Sequence, residues 1–254
     1  MSNDSILVLD DVGRRFGGVP AVDGLSISVP PGTITGLIGP NGAGKTTVIN
    51  LIMGILKLTS GRILFNGRDV SEVEAVDLAH AGMARTFQNI RLVMQGTVLD
   101  NVLSGFHIDR PSGFWSNLLG GRAARAERSA HRAEATALLE RFGMAHLAEH
   151  RAGTLSYGHQ RRIEMMRALA MKPKLLLLDE PVAGMNDAEA SELGQIFSQV
   201  AASGVAILLV EHNMRFVTQI CSHLYVVASG RLIAQGPHQS ALADPAVIEA
   251  YLGS

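Results

Sequence analysis

Two partly alternating stretches, Ile6 to Val12 and Leu25 to Val29, open the chain and stop at turn residues, Gly13 and Pro30-Pro31-Gly32. An apolar–polar period of two predicts strands with one buried face. Ile34 to Ile38 is a further apolar run ahead of a glycine-rich segment, and Val48-Ile49-Asn50-Leu51-Ile52-Met53 beyond that segment suits a helix. Arg62-Ile63-Leu64-Phe65 followed by Asn66-Gly67 predicts a hairpin, because Asn-Gly readily takes the positive φ angles of a tight turn. Between Val70 and Met144 strand runs are weak. Ala123 to Phe142, rich in Ala, Arg, Glu and Leu, predicts a helix, and the segment from His107 to Gly121 before it predicts a loop excursion. The last third returns to apolar runs at Leu175 to Leu178 and Val205 to Val210, continuous enough to be strands buried on both faces. Helical patterns at Gln160 to Met171 and Glu189 to Ala202 separate them. Leu224 to Val227 and Leu232 to Ala234, either side of Gly230, predict two short final strands. The alternation predicts an α/β fold with a mostly parallel sheet flanked by helices.

Composition narrows the class. At 254 residues and 47% hydrophobic, the chain has enough apolar material for one large domain or a core with a subdomain. A formal net charge of −1 disfavours a polyanion-binding surface spread over the whole molecule. The one cysteine, Cys221, excludes an internal disulfide framework and fits a reducing compartment. The start, Met1 to Asp4, is polar, and Ile6 to Leu9 is too short for the core of a secretory signal. No apolar run approaches the ~18 residues that suggest a membrane span, so a soluble chain is expected, with any membrane role supplied by a partner. Arg122, Arg125, Arg128 and Arg132 read as a solvated helix face.

The chemistry concentrates behind the third apolar run. Gly39-Pro40-Asn41-Gly42-Ala43-Gly44-Lys45-Thr46-Thr47 has the spacing G-x-x-x-x-G-K-T between a predicted strand and a predicted helix. Glycines let backbone N–H groups converge on phosphate oxygens, and the N-terminus of the helix that follows favours the same anion. Lys45 adds a cation between phosphates, and the Thr46 hydroxyl is placed to ligate Mg2+. A second signal is Leu175 to Leu178 ending in Asp179-Glu180. In open α/β sheets ligands gather beyond the carboxyl ends of the strands. There Asp179 suits the Mg2+ shell, and Glu180 suits polarising an attacking water.

Leu155-Ser156-Tyr157-Gly158-His159-Gln160-Arg161-Arg162, just ahead of the Asp-Glu strand, resembles the L-S-G-G-Q signature of ATP-binding cassette (ABC) proteins. Ser156 is a good helix N-cap and Gly158 permits close backbone approach. The resemblance implies that Ser156 and Gly158 clamp ATP bound to an opposite subunit. Tyr157 and His159 depart from the commonest residues of that signature, and Asn186, in Ala183-Gly184-Met185-Asn186, stands where many members have Asp. By position the resemblance also makes Gln88 the Q-loop glutamine, sensing Mg2+ or water, His212 the H-loop histidine at the γ-phosphate, and Phe16 the aromatic that stacks on adenine.

The resemblance covers essentially the whole chain. It is most similar to the ATP-binding subunits of bacterial branched-chain amino acid importers, through Arg15-Phe16-Gly17-Gly18, Ala84-Arg85-Thr86-Phe87-Gln88-Asn89, Glu211-His212-Asn213-Met214 and the ending around Ala250-Tyr251-Leu252-Gly253. It implies a RecA-like P-loop NTPase core of ABC type over residues 1–254, with an N-terminal antiparallel β part and a helical subdomain at 85–172. ATP and Mg2+ are the implied cofactors. The implied partners are two integral-membrane permease subunits, a second ATP-binding subunit and, indirectly, an extracytoplasmic solute-binding protein, with no nucleic acid. Its implied place is peripheral, on the cytoplasmic face of the inner membrane. Subunits for urea, amide or lipopolysaccharide transport share much of these motifs. A soluble ABC ATPase working on nucleic acid or ribosomes is the other reading, and such proteins usually fuse two cassettes or carry long insertions, which this chain lacks.

Overall fold

The computed structural model describes residues 5–86, 90–107 and 122–252. Gln88 and nearly all of the 107–121 excursion, Phe114 and Trp115 included, lie outside the described residues. The chain divides into two compact units, one made of Met1–Arg85 with Lys174–Ser254 and the other of Thr86–Pro173.

The first unit holds two sheets. Its strands are β1 (Leu7–Phe16), β2 (Val19–Val29), β3 (Ile34–Ile38), β4 (Ser60–Phe65), β5 (Arg68–Asp69), β6 (Met83–Arg85), β7 (Leu175–Asp179), β8 (Ala206–Val210), β9 (His223–Ala228) and β10 (Arg231–Gly236). One sheet is antiparallel in the order β2-β1-β4-β5. The other runs β10-β9-β3-β8-β7-β6 and is parallel except for β10 at its edge. Every residue of β3, β7 and β8 is buried, which is why these strands read as unbroken apolar runs. Asn66 and Gly67 take φ of 50° and 75° between β4 and β5, the two positive values that the Asn-Gly turn supplies.

Two elements differ from the sequence pattern. β1 and β2 run well past Val12 and begin well before Leu25, because register irregularities around Asp11, Gly13 and Gly24 let pairing continue through polar residues. β6 has three residues, too few to show a period, and its extended state comes from pairing with β7.

The first unit's helices are α1 (Lys45–Ile52), α2 (Ala75–His80), α6 (Asp187–Ala202), α7 (Met214–Ile220), α8 (His238–Leu242) and α9 (Pro245–Leu252); the second unit contributes α3 (Val98–Ser104), α4 (Arg122–Arg141) and α5 (Tyr157–Ala170). The apolar face of α1, Val48, Ile49, Leu51 and Ile52, packs into one core with Leu9, Leu25, Ile27, Leu37, Leu177 and Leu208. Burying each such side chain stabilises the fold by about 1.5–3 kcal/mol, so α1 holds its N-terminus at a fixed place against the sheet. Asn186 is no defect in its loop. It caps α6 in a reciprocal capping box, its side chain accepting from the Glu189 N–H at 3.0 Å while Glu189 accepts from the Asn186 N–H at 3.0 Å, an arrangement worth about 1 kcal/mol.

The second unit is helical. Thr97 and Asp100 form a capping box at the start of α3. Asn101, 1% exposed, accepts from the Val93 N–H and donates to the carbonyls of Val93 and Thr97, pinning the segment ahead of the helix. In α5, Arg161 and Glu164 form an ion pair at 3.0 Å with both side chains almost fully buried. Among the described residues no helix is long and apolar enough to cross a membrane.

Candidate functional site

The register of the parallel sheet gathers the chemistry. Leu37 on β3 and Asp179 on β7 both align with Val210 on β8, so the segments that leave these three strands emerge side by side. They are the glycine-rich loop after β3, Glu180 after β7, and Glu211-His212 after β8. A ligand beyond the carboxyl ends of the strands meets all three.

Residues Gly39 to Gly44 form the loop and Lys45 begins α1. A Cβ on Gly39 would lie 2.0 Å from the Val227 carbonyl oxygen, and one on Gly44, where φ is 98°, would lie 2.4 Å from that of Ala21. Only glycine lets the loop pass this close to its neighbours. The loop is braced further by Gly230 N–H donating to the Ala43 carbonyl at 3.1 Å. Asn41, Gly42 and Thr46 are exposed, Ala43 is buried and Thr47 lies between. Gly44 caps α1 without a side-chain hydrogen bond, so Lys45, Thr46 and Thr47 present the helix's first N–H groups to an anion. The Lys45 Nζ donates to the carbonyls of Gly39 at 2.7 Å and Pro40 at 2.9 Å, which folds the ammonium over its own loop. Burial lowers its pKa, and the negative charges of Glu180 and Asp179 oppose the fall.

Asp179 is 4% exposed. Its Oδ2 accepts from the Arg85 Nη2 at 3.1 Å, while Nη1 of the same arginine donates to Asn50 Oδ1 on α1 at 2.6 Å. Arg85 therefore ties the helix behind the loop to the carboxylate at the end of β7. Glu180 has φ of 49°, a left-handed value that costs a non-glycine residue roughly 1–2 kcal/mol. Its N–H donates to the Val210 carbonyl at 2.9 Å, which holds the turn. This turn leaves the carboxylate partly exposed, with Oε1 3.6 Å from His212 Nδ1. The His212 ring is mostly exposed.

Phe16, at the end of β1, is 45% exposed and carries the Arg14 guanidinium on its ring at 4.7 Å. The cation is attracted to the face of the ring by its quadrupole. Ser156 and Gly158 lie in the second unit. Ser156 caps α5, its Oγ accepting from the His159 N–H at 3.4 Å and lying 3.0 Å from His159 Nδ1. The histidine that replaces the commoner glutamine thus engages the serine hydroxyl.

Sequence reasoning passed over Arg85, Glu211 and Tyr251. Arg85 stood inside a quoted motif with no role attached. Glu211 is 1% exposed and accepts from the backbone N–H groups of Val182, His212 and Asn213. Tyr251 sits on α9, where burial raises its pKa and a backbone hydrogen bond with Gly39 opposes the rise. No local pattern signals such long-range partners. Among the described residues no group of three or more His, Cys, Asp or Glu side chains could cage a metal ion.

Residues 22–183 match the family model described as ABC transporter. The chain is 38% identical to the high-affinity branched-chain amino acid transport ATP-binding protein LivG of Escherichia coli strain K12, over 98% of each chain. It is 36% identical, again over 98% of each, to the high-affinity branched-chain amino acid transport ATP-binding protein BraF of Pseudomonas aeruginosa. Its fold matches an ATP-binding cassette of an ABC transporter solved in its ADP conformation, with a TM-score of 0.85, 35% identity, and coverage of 98% of this chain and 99% of that one.

Proposed function

The chain belongs to the ABC transporter family as an ATP-binding, ATP-hydrolysing subunit, and on that premise we propose that it drives a branched-chain amino acid importer through the residues assembled above. The observation that carries the reading is the placement of Lys45, whose ammonium sits over the Gly39–Gly44 loop in the field of Asp179 and Glu180. A cation held there is a counterion for nucleotide phosphates and a link between the loop and the two carboxylates.

In this reading the N–H groups of Gly42 to Thr47 and the Lys45 Nζ hold the β- and γ-phosphates, and Phe16 carries the adenine. The donor set fits Mg2+, a hard cation that keeps waters and takes only one or two carboxylates beside the phosphates. Thr46 and Asp179 would hold it, with Gln88 the third candidate. Bound there, Mg2+ would neutralise charge building on the phosphate oxygens. Glu180 orients the attacking water and accepts its proton. His212, beside Glu180, steadies the γ-phosphate. Ser156 and Gly158 act on ATP held by a second ATP-binding subunit, so each nucleotide lies between two chains. Hydrolysis removes the phosphate that bridges them and lets them part.

Two membrane permease subunits convert this closing and opening into alternating access, and an extracytoplasmic solute-binding protein delivers the amino acid. The resemblance to the two importer subunits supports this assembly and a place against the cytoplasmic face of the membrane. The test is reconstitution of the chain with the two permeases and the second ATP-binding subunit of the proposed importer. ATP-driven uptake of leucine, isoleucine or valine, silenced by Lys45→Ala, is the expected result. ATP-driven uptake of urea or an amide instead would move the protein to a sister transporter.

A further inference from the structure

His212 does not hold its own position. Glu211, the residue before it, is 1% exposed and spends both carboxylate oxygens on backbone donors. Oε2 accepts from the N–H groups of His212 at 2.9 Å and Asn213 at 3.0 Å. Oε1 accepts from the N–H of Val182 at 3.3 Å, 29 residues away in sequence. Val182 belongs to the chain that leaves Glu180 for Asn186. That chain turns upon itself, with the Ala183 N–H bonded to the Glu180 carbonyl at 3.3 Å and the Met185 N–H to the Val182 carbonyl at 3.0 Å. His212 Nδ1 lies between the two carboxylates, 3.6 Å from Glu180 Oε1 and 3.7 Å from Glu211 Oε2.

We propose that Glu211 is a positioning residue for hydrolysis, a buried carboxylate clamp that fixes His212 relative to Glu180 and to the Val182–Asn186 segment. The inference rests on His212 belonging to the hydrolytic site. Only a carboxylate fits the role, because acceptors are needed on both oxygens. A neutral amide offers one acceptor oxygen and turns an N–H against a donor. The clamp also has a consequence for the paired subunits. A displacement of the Asn186 segment reaches Val182 through its turn, and reaches His212 through one side chain.

The test reads the clamp and its use separately. In the full chain, amide exchange at Val182, His212 and Asn213 is followed by NMR in wild type, Glu211→Gln and Glu211→Ala. Glu211→Ala is expected to speed exchange at all three amides by roughly tenfold or more, as a lost charge-assisted bond does. Glu211→Gln, which keeps the volume, is expected to release Val182 or the His212–Asn213 pair but not to hold both. If Glu211→Ala does not fold, the Gln variant decides alone. In the reconstituted transporter both variants are expected to lose about tenfold or more in kcat, with KM for ATP near wild type, since small misplacements act on the reacting geometry. Unchanged exchange would overturn the clamp. Faster exchange with unchanged kcat would overturn the positioning role. His212→Ala runs alongside: normal turnover there would remove the catalytic reading beneath the inference, whereas slow turnover there beside normal Glu211 variants would sink the inference alone.

Discussion

Arg85 and Asp179 form an ion pair at 3.1 Å with side chains only 7% and 5% exposed. The guanidinium also reaches Asn50 on α1, so one side chain joins the edge strand β6, the adjacent β7 and the helix behind the glycine-rich loop. Removing one member of a buried pair leaves the other charge without its counterion, at a cost of roughly 3–5 kcal/mol.

Arg85→Gln should therefore lower the thermal midpoint by on the order of 10 °C. Arg85→Lys should recover part of that loss, because an ammonium neutralises Asp179 but does not bond Asp179 and Asn50 in the same fork. Calorimetry of the three proteins checks the order. A midpoint unchanged in Arg85→Gln would show that the pair contributes nothing net.

Lys45→Ala should weaken ATP binding. In the proposed reading it removes a charge-assisted contact to the phosphates of roughly 1.5–3 kcal/mol, which is about 10- to 150-fold in Kd. The fold should survive, since in the free protein the Lys45 ammonium bonds to carbonyls of its own loop, those of Gly39 and Pro40. Titration calorimetry with ATP and a parallel melting curve separate the two effects.

The parts of this molecule that were legible in sequence are those whose cause is local. Apolar runs announced β3, β7 and β8 because these strands are buried on both faces. Asn66-Gly67 announced its turn because two adjacent residues supply the angles. The glycine-rich loop and Asp179-Glu180 stood out because the residues of each are contiguous. What stayed hidden has its cause far along the chain. β6 is extended because β7 pairs with it. Arg85 finds Asp179 across 94 residues, and Glu211 finds Val182 across 29. A buried glutamate that bonds to backbone N–H groups resembles a surface glutamate until the fold is known.

Cys221 gives the folded protein an alkaline limit. Burial, and then the charge of Glu211, push its thiol from 9.0 up to about 12. The folded thiol stays neutral where the unfolded one has ionised, so the unfolded state gains stability as pH rises above 9.0. Stability should fall progressively between about pH 9 and 12, and Cys221→Ala should remove that component. Burial lowers the pKa of His223, so the sign reverses at the acid end. The unfolded chain takes up the proton first, and stability should fall as pH drops below 6.5. Denaturant melts across pH on wild type and Cys221→Ala provide the check, with alkylation of the native thiol expected to be very slow.

Glu180 carries the sharpest prediction. Its backbone is held in a left-handed conformation and its carboxylate sits beside His212, partly open to solvent. Glu180→Gln preserves the size of the side chain and leaves in place Lys45, Thr46 and Asp179, to which the proposed reading assigns the nucleotide and its metal. Binding of Mg-ATP should persist. Hydrolysis should fall by roughly a hundredfold or more, since an amide cannot take the proton of the attacking water. With ATP present, the proposed pair of subunits should then accumulate in the closed state, because the phosphate proposed to bridge them is not removed. If the second ATP-binding subunit of the proposed assembly is a different chain, pairing should be assayed with both chains together. Size-exclusion with and without ATP, beside a turnover assay on the assembled transporter, distinguishes the outcomes. Near-normal turnover would take Glu180 out of the chemistry. Slow turnover with weak nucleotide binding would mean that the charge at Glu180 serves the metal and phosphates instead of the water. Slow turnover with a stable, ATP-dependent closed pair is the result that the geometry around Lys45, Asp179 and His212 leads us to expect.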